Sequence, residues 1–234
     1  MNQDAYRIIQ QATSESRERL DEMEALSFCN SFHIPTAKTL LASDVDDVVR
    51  CADRIGYPVV LKVVSPQINH KSDSGGVRIG IRNASEALSA VMSMKASISE
   101  KANVNGILVQ EMLTGGTELI VGLNLDPQFG PVVMFGLGGV FVETLNDVSM
   151  RLPPLEIEDS LEMIHEIKGY PLLNGVRGKK PVNIDSIVQV LQSVSALAVD
   201  TDGKISSMDL NPVISTEDGC KAVDARVILS NGIK

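Results

Sequence analysis

A lysine in a short β-branched run and a glycine pair downstream of it are the first residues whose types and spacing could do chemistry. Lys62 stands within the run Val59–Val64, and the segment that follows ends in Gly75-Gly76. A lysine on a buried strand supplies a fixed positive charge for phosphate, and a Gly-Gly loop lets backbone N–H groups approach anionic oxygens. The combination predicts a phosphate-binding site, with an ordinary hairpin turn as the alternative for the glycine pair.

Two common phosphate-binding signatures are absent from the sequence. No Gly-x-x-x-x-Gly-Lys-Ser/Thr occurs, which excludes a Walker-type loop. Gly136-Leu137-Gly138-Gly139 is glycine-rich, but the strand-like run Val140–Glu143 follows it where a Rossmann fingerprint requires a helix. The phosphate site must therefore be of another kind.

An Asp-x-Asn-Pro sequence near the C-terminus has the spacing of a cation site. Asp209 and Asn211 are two residues apart, so on a strand they project from one face, and we expect Pro212 to end that strand. Asp224 lies in a following apolar run and could join them by hairpin pairing. Because all three ligands are oxygens, Mg²⁺ fits better than zinc. A simple strand-to-turn signal is the alternative.

A third segment is typical of an adenosine clamp. Backbone groups of an extended hinge can pair with an adenine edge, and a carboxylate shortly after the hinge can accept both ribose hydroxyls. Glu118 is the candidate for the ribose. The candidate hinge residues are Gln110, Glu111, Met112 and Leu113.

The elements that must position these residues alternate between helix and strand. Apolar spacing predicts helices over 14–30, 45–55 (capped at Ser43-Asp44 and stopped by Gly56), 85–99 (capped by Ser85), 157–168 and 184–199. It predicts strands over 59–64, 77–81, 107–110, 119–123, 132–136, 205–210 and 222–227, the first two of them paired. This mixture predicts an α+β protein of two lobes, with a ligand lying where they meet.

Composition excludes several classes of function. The formal net charge of -9 argues against a nucleic-acid partner, since phosphate neutralisation needs clustered bases. The longest apolar stretch is interrupted by glycines and is far shorter than the roughly 20 residues that span a bilayer, so we expect no membrane insertion. The N-terminus lacks the pattern of a secretion signal, which predicts a cytoplasmic protein. The three cysteines, Cys29, Cys51 and Cys220, are expected to be buried free thiols.

Taken in order, the motifs resemble the ATP-grasp domain of ADP-forming acyl-CoA synthetases. More closely, they are similar to the separate β subunit of ADP-forming acetyl-CoA synthetase, a relative of succinyl-CoA synthetase. The resemblance covers almost the whole chain. The segments that carry it are 56–62, 70–77, 110–112, 136–143, 171–178 and 209–212.

The resemblance implies an ATP-grasp fold of two α/β lobes with the nucleotide between them. We place the first lobe, with an N-terminal helix, at residues 1–109 and the second, with the metal site, at 110–234. It implies the reversible reaction of acyl-CoA, ADP and phosphate to give acid, CoA and ATP. A partner α subunit would hold the CoA-binding and ligase domains, in an α2β2 heterotetramer. Neither the acyl group nor the choice of ADP over GDP follows from the sequence.

The resemblance also implies a phosphoryl relay through the loop histidine His70. Imidazole suits this task because it is nucleophilic when neutral, and its phosphoramidate can return the phosphoryl group to ADP without a large drop in free energy. Ser72, Gly75 and Gly76 would contact the nucleotide together with Lys62. Arg151 and Arg177 are further candidates for phosphate or interface contacts, because a guanidinium matches phosphate oxygens.

Two other functions stay open at this point. A stand-alone ATP-grasp carboxylate–amine ligase would activate an acid directly as an acyl phosphate and would need no histidine. A nucleotide-sensing or scaffolding subunit would keep the fold without the chemistry. The intact set Lys62, His70, Asp209, Asn211 and Asp224 argues against the second alternative.

Overall fold

The computed structural model describes residues 2–65, 75–98, 105–139, 147–176 and 180–230. They form two compact units, a small unit of Ala37–Thr114 and a large unit of Met1–Thr36 with Gly115–Lys234. The elements in chain order are α1 Gln3–Ser14, α2 Glu22–Ser31, β1 Thr39–Ala42, α3 Val45–Ile55, β2 Val59–Val64, β3 Val77–Ile81, α4 Ala84–Ile98, β4 Gly106–Glu111, β5 Thr117–Asp126, β6 Gly130–Leu137, β7 Val148–Arg151, α5 Ile157–Glu166, a 3₁₀ turn at Tyr170–Leu172, α6 Ile184–Thr201, β8 Ile205–Thr216, β9 Gly219–Ala222 and β10 Ala225–Leu229.

The small unit is an antiparallel sheet in the order β1-β4-β2-β3, packed against α3 and α4. Alternate residues of β2, namely Val59, Leu61 and Val63, are buried in a core with residues of both helices. The predicted pairing of β2 with β3 is present. The intervening residues of β2, which include Lys62, therefore lie on the sheet face away from that core.

Local capping chemistry sets both helices of the small unit. The Asp44 carboxylate accepts from the Asp47 N–H at 2.7 Å to start α3, and Gly56, at φ 95°, stops it, both as predicted. For α4 the predicted cap, Ser85, is wrong. The Asn83 side chain accepts from the Glu86 N–H at 2.9 Å, so the helix begins earlier, at Ala84.

The large unit is built on a sheet in the order β10-β8-β5-β6-β7, with β9 paired to β8. One face of the sheet is covered by α5 and α6, and its core residues include Val121, Phe135 and Met208. The side chains between them along each strand lie on the opposite face. That face holds the candidate metal residues.

The N-terminal segment differs from the single helix expected over 14–30. It forms two helices, because Asp21 and Glu24 make a reciprocal capping box that starts α2. These helices belong to the large unit, where the Leu20 N–H donates to the Val227 carbonyl at 3.1 Å. The division seen in the structure therefore groups residues 2–36 with 115–230, whereas the predicted boundary lay between residues 109 and 110.

The last strands also run further than the sequence predicted. Pro212 does not end β8, which continues to Thr216 and pairs with the unpredicted β9. The pairing of β8 with β5 shifts register beside Pro212. The Pro212 carbonyl accepts from the Val223 N–H at 2.9 Å. A register shift is the usual way for a strand to accommodate proline. Among the described residues, no helix is long and apolar enough to cross a bilayer.

Candidate active site

Lys62 occupies the middle of an inner strand of the small unit. It pairs with Leu108 on one side and Val77 on the other, and only 7% of its surface is exposed. A buried lysine is costly unless an anion or another polar group offsets its charge. Its position on an inner strand therefore fits the predicted role of a fixed positive charge.

The glycine pair anchors the end of the segment that joins β2 to β3. The Val63 N–H donates to the Gly76 carbonyl at 2.8 Å, and Gly75 adopts a φ of 73°, which favours glycine. The Arg78 guanidinium donates to the Gly75 carbonyl at 2.9 Å. His70 and Ser72, predicted between these strands, lie outside the described residues.

The predicted adenine hinge continues the end of β4. The Gln110 amide is fully buried and its Nε2 donates to Thr39 Oγ1 at 2.9 Å. The Glu111 carboxylate accepts from the Lys38 N–H at 2.7 Å, and the Met112 N–H donates to the Pro58 carbonyl at 3.2 Å. These contacts hold the segment within the small unit, so its side chains act as supports, and base recognition would fall to its remaining backbone groups.

The three predicted metal residues come together in the large unit. Ala225 pairs with Leu210 and Arg226 with Asp209, so continuing this register sets Asp224 beside Asn211. Asp209 is partly buried, whereas Asn211 and Asp224 are exposed, and the core residues Met208 and Leu210 lie on the other face. The hairpin pairing inferred from the sequence is thus present as β8 and β10.

The Asp209 carboxylate is unsatisfied in a way that fits a cation. Its Oδ1 is buried and has no hydrogen-bond partner among the described residues. Burial and then the negative charge of Asp224 raise the pKa of Asp209, and the positive charge of Arg226 opposes them. A buried carboxylate oxygen beside a second carboxylate and an amide oxygen is the donor set that Mg²⁺ prefers.

The side chains of the candidate metal site supply only part of a metal coordination shell. No cluster of three His, Cys, Asp or Glu residues suited to a metal occurs in the described part of the chain. The predicted set has two carboxylates and one amide, so phosphate oxygens or water would complete the shell. Magnesium commonly keeps such ligands and is held by one or two carboxylates.

Glu118 lies at the start of β5, beside the glycine-rich end of β6. The Glu118 carbonyl accepts from the Gly138 N–H at 2.7 Å. A Cβ at Gly138 would lie 3.1 Å from the Glu118 backbone, and one at Gly139 would lie 3.3 Å from its Oε2. Glycines 138 and 139 therefore leave room for the exposed carboxylate, which stays available for a ribose.

Arg151 is engaged elsewhere. On the edge strand β7, its guanidinium lies 2.8 Å from the Glu166 carboxylate and 3.7 Å from that of Glu162, both on α5. These ion pairs join the strand to its covering helix. The structure therefore favours a supporting role over the predicted phosphate contact. Arg177 lies outside the described residues.

Two residues beside the metal set were not foreseen. Arg226 on β10 and Gly122 on β5 flank Asp209 directly, one on each side. Arg226 follows Asp224 by two residues, so the parity used for Asp209 and Asn211 could have revealed it. Gly122 carried no sequence signal, because its significance depends on strand pairing.

A family model described as an ATP-grasp domain matches residues 11–229. The chain is a member of the ATP-grasp family. Within the family it is similar to the acetate–CoA ligase (ADP-forming) I subunit beta of Pyrococcus furiosus, at 47% identity over 228 residues, which covers 96% of this chain and 97% of that subunit. The corresponding II subunit beta of that organism is 40% identical, covering 98% and 99% of the two chains.

Solved structures agree with the ATP-grasp assignment. The acetyl-coenzyme A synthetase 1 of Ca. Korarchaeum cryptofilum, in complex with coenzyme A and Ca-AMPCP, aligns with a TM-score of 0.93 and 45% identity, covering 97% of this chain and 100% of that chain. Another structure of that enzyme holds Mg-AMPPCP, with a phosphohistidine segment pointing towards the nucleotide site. The predicted ATP-grasp fold and family are confirmed.

One relative shows a different chain organisation. The acetate–CoA ligase (ADP-forming) I of Archaeoglobus fulgidus is 44% identical over 221 residues, but the match spans only 32% of its length. In that protein the ATP-grasp part is joined to further chain, whereas the Pyrococcus furiosus beta subunits match this chain end to end. Family members therefore occur both fused and as separate subunits.

Proposed function

We propose that this chain is the nucleotide-binding subunit of an ADP-forming acyl-CoA synthetase, which converts acyl-CoA, ADP and phosphate reversibly to acid, CoA and ATP. The observation that carries this proposal is the match over nearly the full length of both chains to separate beta subunits of acetate–CoA ligases. A stand-alone carboxylate–amine ligase gains no support from these relatives. We expect an α subunit with the CoA-binding and ligase domains, assembled as α2β2.

In the proposed site, Lys62 offsets phosphate charge, and the segment 110–113 and Glu118 hold the adenosine. Asp209, Asn211 and Asp224 would hold Mg²⁺, which when bound neutralises phosphate charge and orients the phosphate chain. The burial of Lys62 and the unsatisfied oxygen of Asp209 support these roles. The Asp209 oxygen, which has no hydrogen-bond partner among the described residues, is costly to bury and would be compensated by a bound cation.

His70 is proposed as the covalent relay. Its imidazole nitrogen would accept the phosphoryl group from a phosphohistidine of the α subunit, with cleavage of that P–N bond. The β-phosphate oxygen of ADP would then attack the phosphorus, so that the bond to His70 breaks and ATP forms. The phosphohistidine segment of the Ca. Korarchaeum cryptofilum enzyme supports a relay of this kind.

A labelling experiment tests the relay. The chain and its α subunit are purified together and incubated with Mg²⁺ and ATP labelled at the γ-phosphate, with wild type compared with His70→Ala and with His165→Ala as the control histidine. We expect acid-labile label on the wild-type and His165→Ala chains and none on His70→Ala. Equal labelling of this chain in wild type and His70→Ala would refute the relay at His70.

A further inference from the structure

Four exposed apolar side chains lie at one corner of the large unit. Phe129, Met150, Leu152 and Ile157 are exposed by 52–67%, and they are four of the nine large apolar side chains exposed in the described part of the chain. Because β7 runs antiparallel to β6, Leu152, which follows β7, lies at the end of the sheet where Phe129 precedes β6. Ile157 begins α5 shortly afterwards. We name these four residues the β7 corner. Apolar side chains grouped in this way mark an interaction surface, whereas scattered ones do not.

The backbone of the β7 corner is held in place by α6. The Leu155 N–H donates to Ser195 Oγ at 2.8 Å, and the Leu155 side chain is buried. The Glu156 carbonyl accepts from Gln192 Nε2 at 2.9 Å. These contacts fix the connection from β7 to α5. A surface that is already fixed loses little conformational entropy when a partner binds, so this corner is well suited to binding.

The surroundings of the β7 corner are acidic. The exposed residues Glu156 and Glu158 flank Ile157. Arg151 is the only lysine or arginine in residues 117–167, and its guanidinium lies 2.8 Å from the Glu166 carboxylate. A complementary partner surface therefore has an apolar centre and lysine or arginine residues at its rim.

This charge pattern favours a different polypeptide over a second copy of this chain. In a two-fold symmetric contact, the same patch of each copy faces the other, so Glu156 and Glu158 of both copies would approach one another. Like charges brought together at an interface oppose association. A partner with a basic rim has no such cost.

We propose that the β7 corner is the docking surface for a different polypeptide, whose contact surface is apolar with a basic rim. Under the proposed function this polypeptide is the α subunit, which must be held by a noncovalent surface when it is a separate chain. The inference rests on the proposed function and adds the place of contact.

Binding kinetics of the purified chain on the immobilised α subunit of the same organism test the proposal. The variant Leu152→Ser/Ile157→Ser removes two apolar side chains of the corner, and Glu158→Lys reverses a charge beside it. The control Tyr6→Ser/Val199→Ser removes two apolar side chains that are also exposed on the large unit. All these side chains are exposed, so we expect every variant to fold, and melting temperatures verify this.

We expect Leu152→Ser/Ile157→Ser to weaken binding to the α subunit by about 10- to 100-fold, because apolar contacts at the centre of an interface contribute most of its affinity. Glu158→Lys should slow association by about threefold or more at low salt, and less at high salt. The control should bind like wild type. Calorimetry should give the same MgADP affinity for all variants, since none of these residues belongs to the proposed nucleotide site.

Wild-type affinity of Leu152→Ser/Ile157→Ser for the α subunit would refute docking at the β7 corner and leave the proposed function standing. A wild-type dimer of this chain that Leu152→Ser/Ile157→Ser converts to a monomer, with binding to the α subunit intact, would assign the corner to a second copy instead. If the wild-type chain and the α subunit did not associate at all, the proposed function and this inference would fail together.

Discussion

Asp209 on β8 and Gly122 on β5 lie directly opposite each other, on the sheet face away from the core. The same row continues through Arg226 on β10, and through Met134 and Met150 on β6 and β7. A Cβ at position 122 would lie 3.1 Å from the Met134 methyl group. The glycine thus keeps the space next to the candidate metal carboxylate clear.

Filling that space should impair the site more than the fold. We expect Gly122→Val to weaken MgADP binding by at least about tenfold, because a branched side chain would project beside Asp209. Gly122→Ala should have a smaller effect, since the flexible end of Met134 can move. Calorimetry checks the affinity, and thermal unfolding checks the fold. Unchanged MgADP affinity in Gly122→Val would contradict this view of the row.

Removal of the Asp209 charge should weaken metal binding without lowering the stability of the metal-free protein. Without metal, we expect Asp209→Asn to be at least as stable as wild type, because a partly buried carboxylate beside Asp224 is replaced by a neutral amide. Magnesium with ADP should raise the melting temperature of wild type and not of the variant. Thermal unfolding in EDTA and in Mg²⁺ with ADP measures both effects. A Mg²⁺-dependent rise in Asp209→Asn equal to that of wild type would exclude the proposed ligand.

The Arg17–Glu24 pair should stabilise the N-terminal helices in a pH-dependent way. Two guanidinium nitrogens donate to the Glu24 carboxylate at 2.6 Å and 2.7 Å, and the Asp21 N–H donates to it at 2.9 Å. We expect Glu24→Gln to lower the free energy of unfolding by about 1–3 kcal/mol at pH 7. Urea unfolding measures this loss.

The hydrogen bond from Arg17 is the main reason that the pKa of Glu24 lies below its ordinary value. A lowered pKa in the folded state means that the stabilisation is complete above the unfolded pKa of about 4.3 and is lost as the pH falls through the folded value. The difference between wild type and Glu24→Gln should therefore shrink below about pH 4. A difference that is constant from pH 7 to pH 3 would contradict the assignment.

Asp147 should be far more important for stability than its single carboxylate suggests. It is 7% exposed and accepts from the N–H groups of Lys168 and Gly169, both at 2.7 Å. Replacement by alanine would leave two partly buried N–H groups without the buried carboxylate that accepts from them, so we expect a loss of about 3 kcal/mol. Denaturant unfolding measures it.

Asp126 provides the matched control for Asp147. Its carboxylate also accepts from two backbone N–H groups, of Gln128 at 2.8 Å and Phe129 at 3.0 Å, but in an exposed turn. Water can replace the lost partner there, so Asp126→Ala should cost less than about 1 kcal/mol. Equal losses for the two variants would show that burial does not set the difference.

The parts that the sequence predicted well depend on local signals. The cap and stop of α3 are short-range backbone chemistry, and the position of Lys62 on β2 followed from a β-branched run. The grouping of Asp209, Asn211 and Asp224 needed only strand parity and one hairpin.

The parts that differ depend on distant partners. Pro212 was predicted to end its strand. The strand continues because a register shift against β5 accommodates the proline, and the sequence alone does not show that shift. Arg151 was predicted to contact phosphate because the sequence does not reveal its partners. Both glutamates that pair with it lie on α5, outside its own strand. We placed the N-terminal helix with the first lobe, whereas the structure groups both helices with the large unit, because α2 packs on β10, which lies far away in the sequence.

The packing of α1 and α2 on the large unit also orders events during synthesis. Residues 2–36 leave the ribosome before the small unit, yet β10, which pairs with Leu20, is made after it. The small unit, Ala37–Thr114, is continuous in sequence and can fold before α1 and α2 have their packing partner. Until β10 emerges, the apolar side chains of α1 and α2 would lack part of their packing partner and could be bound by a chaperone.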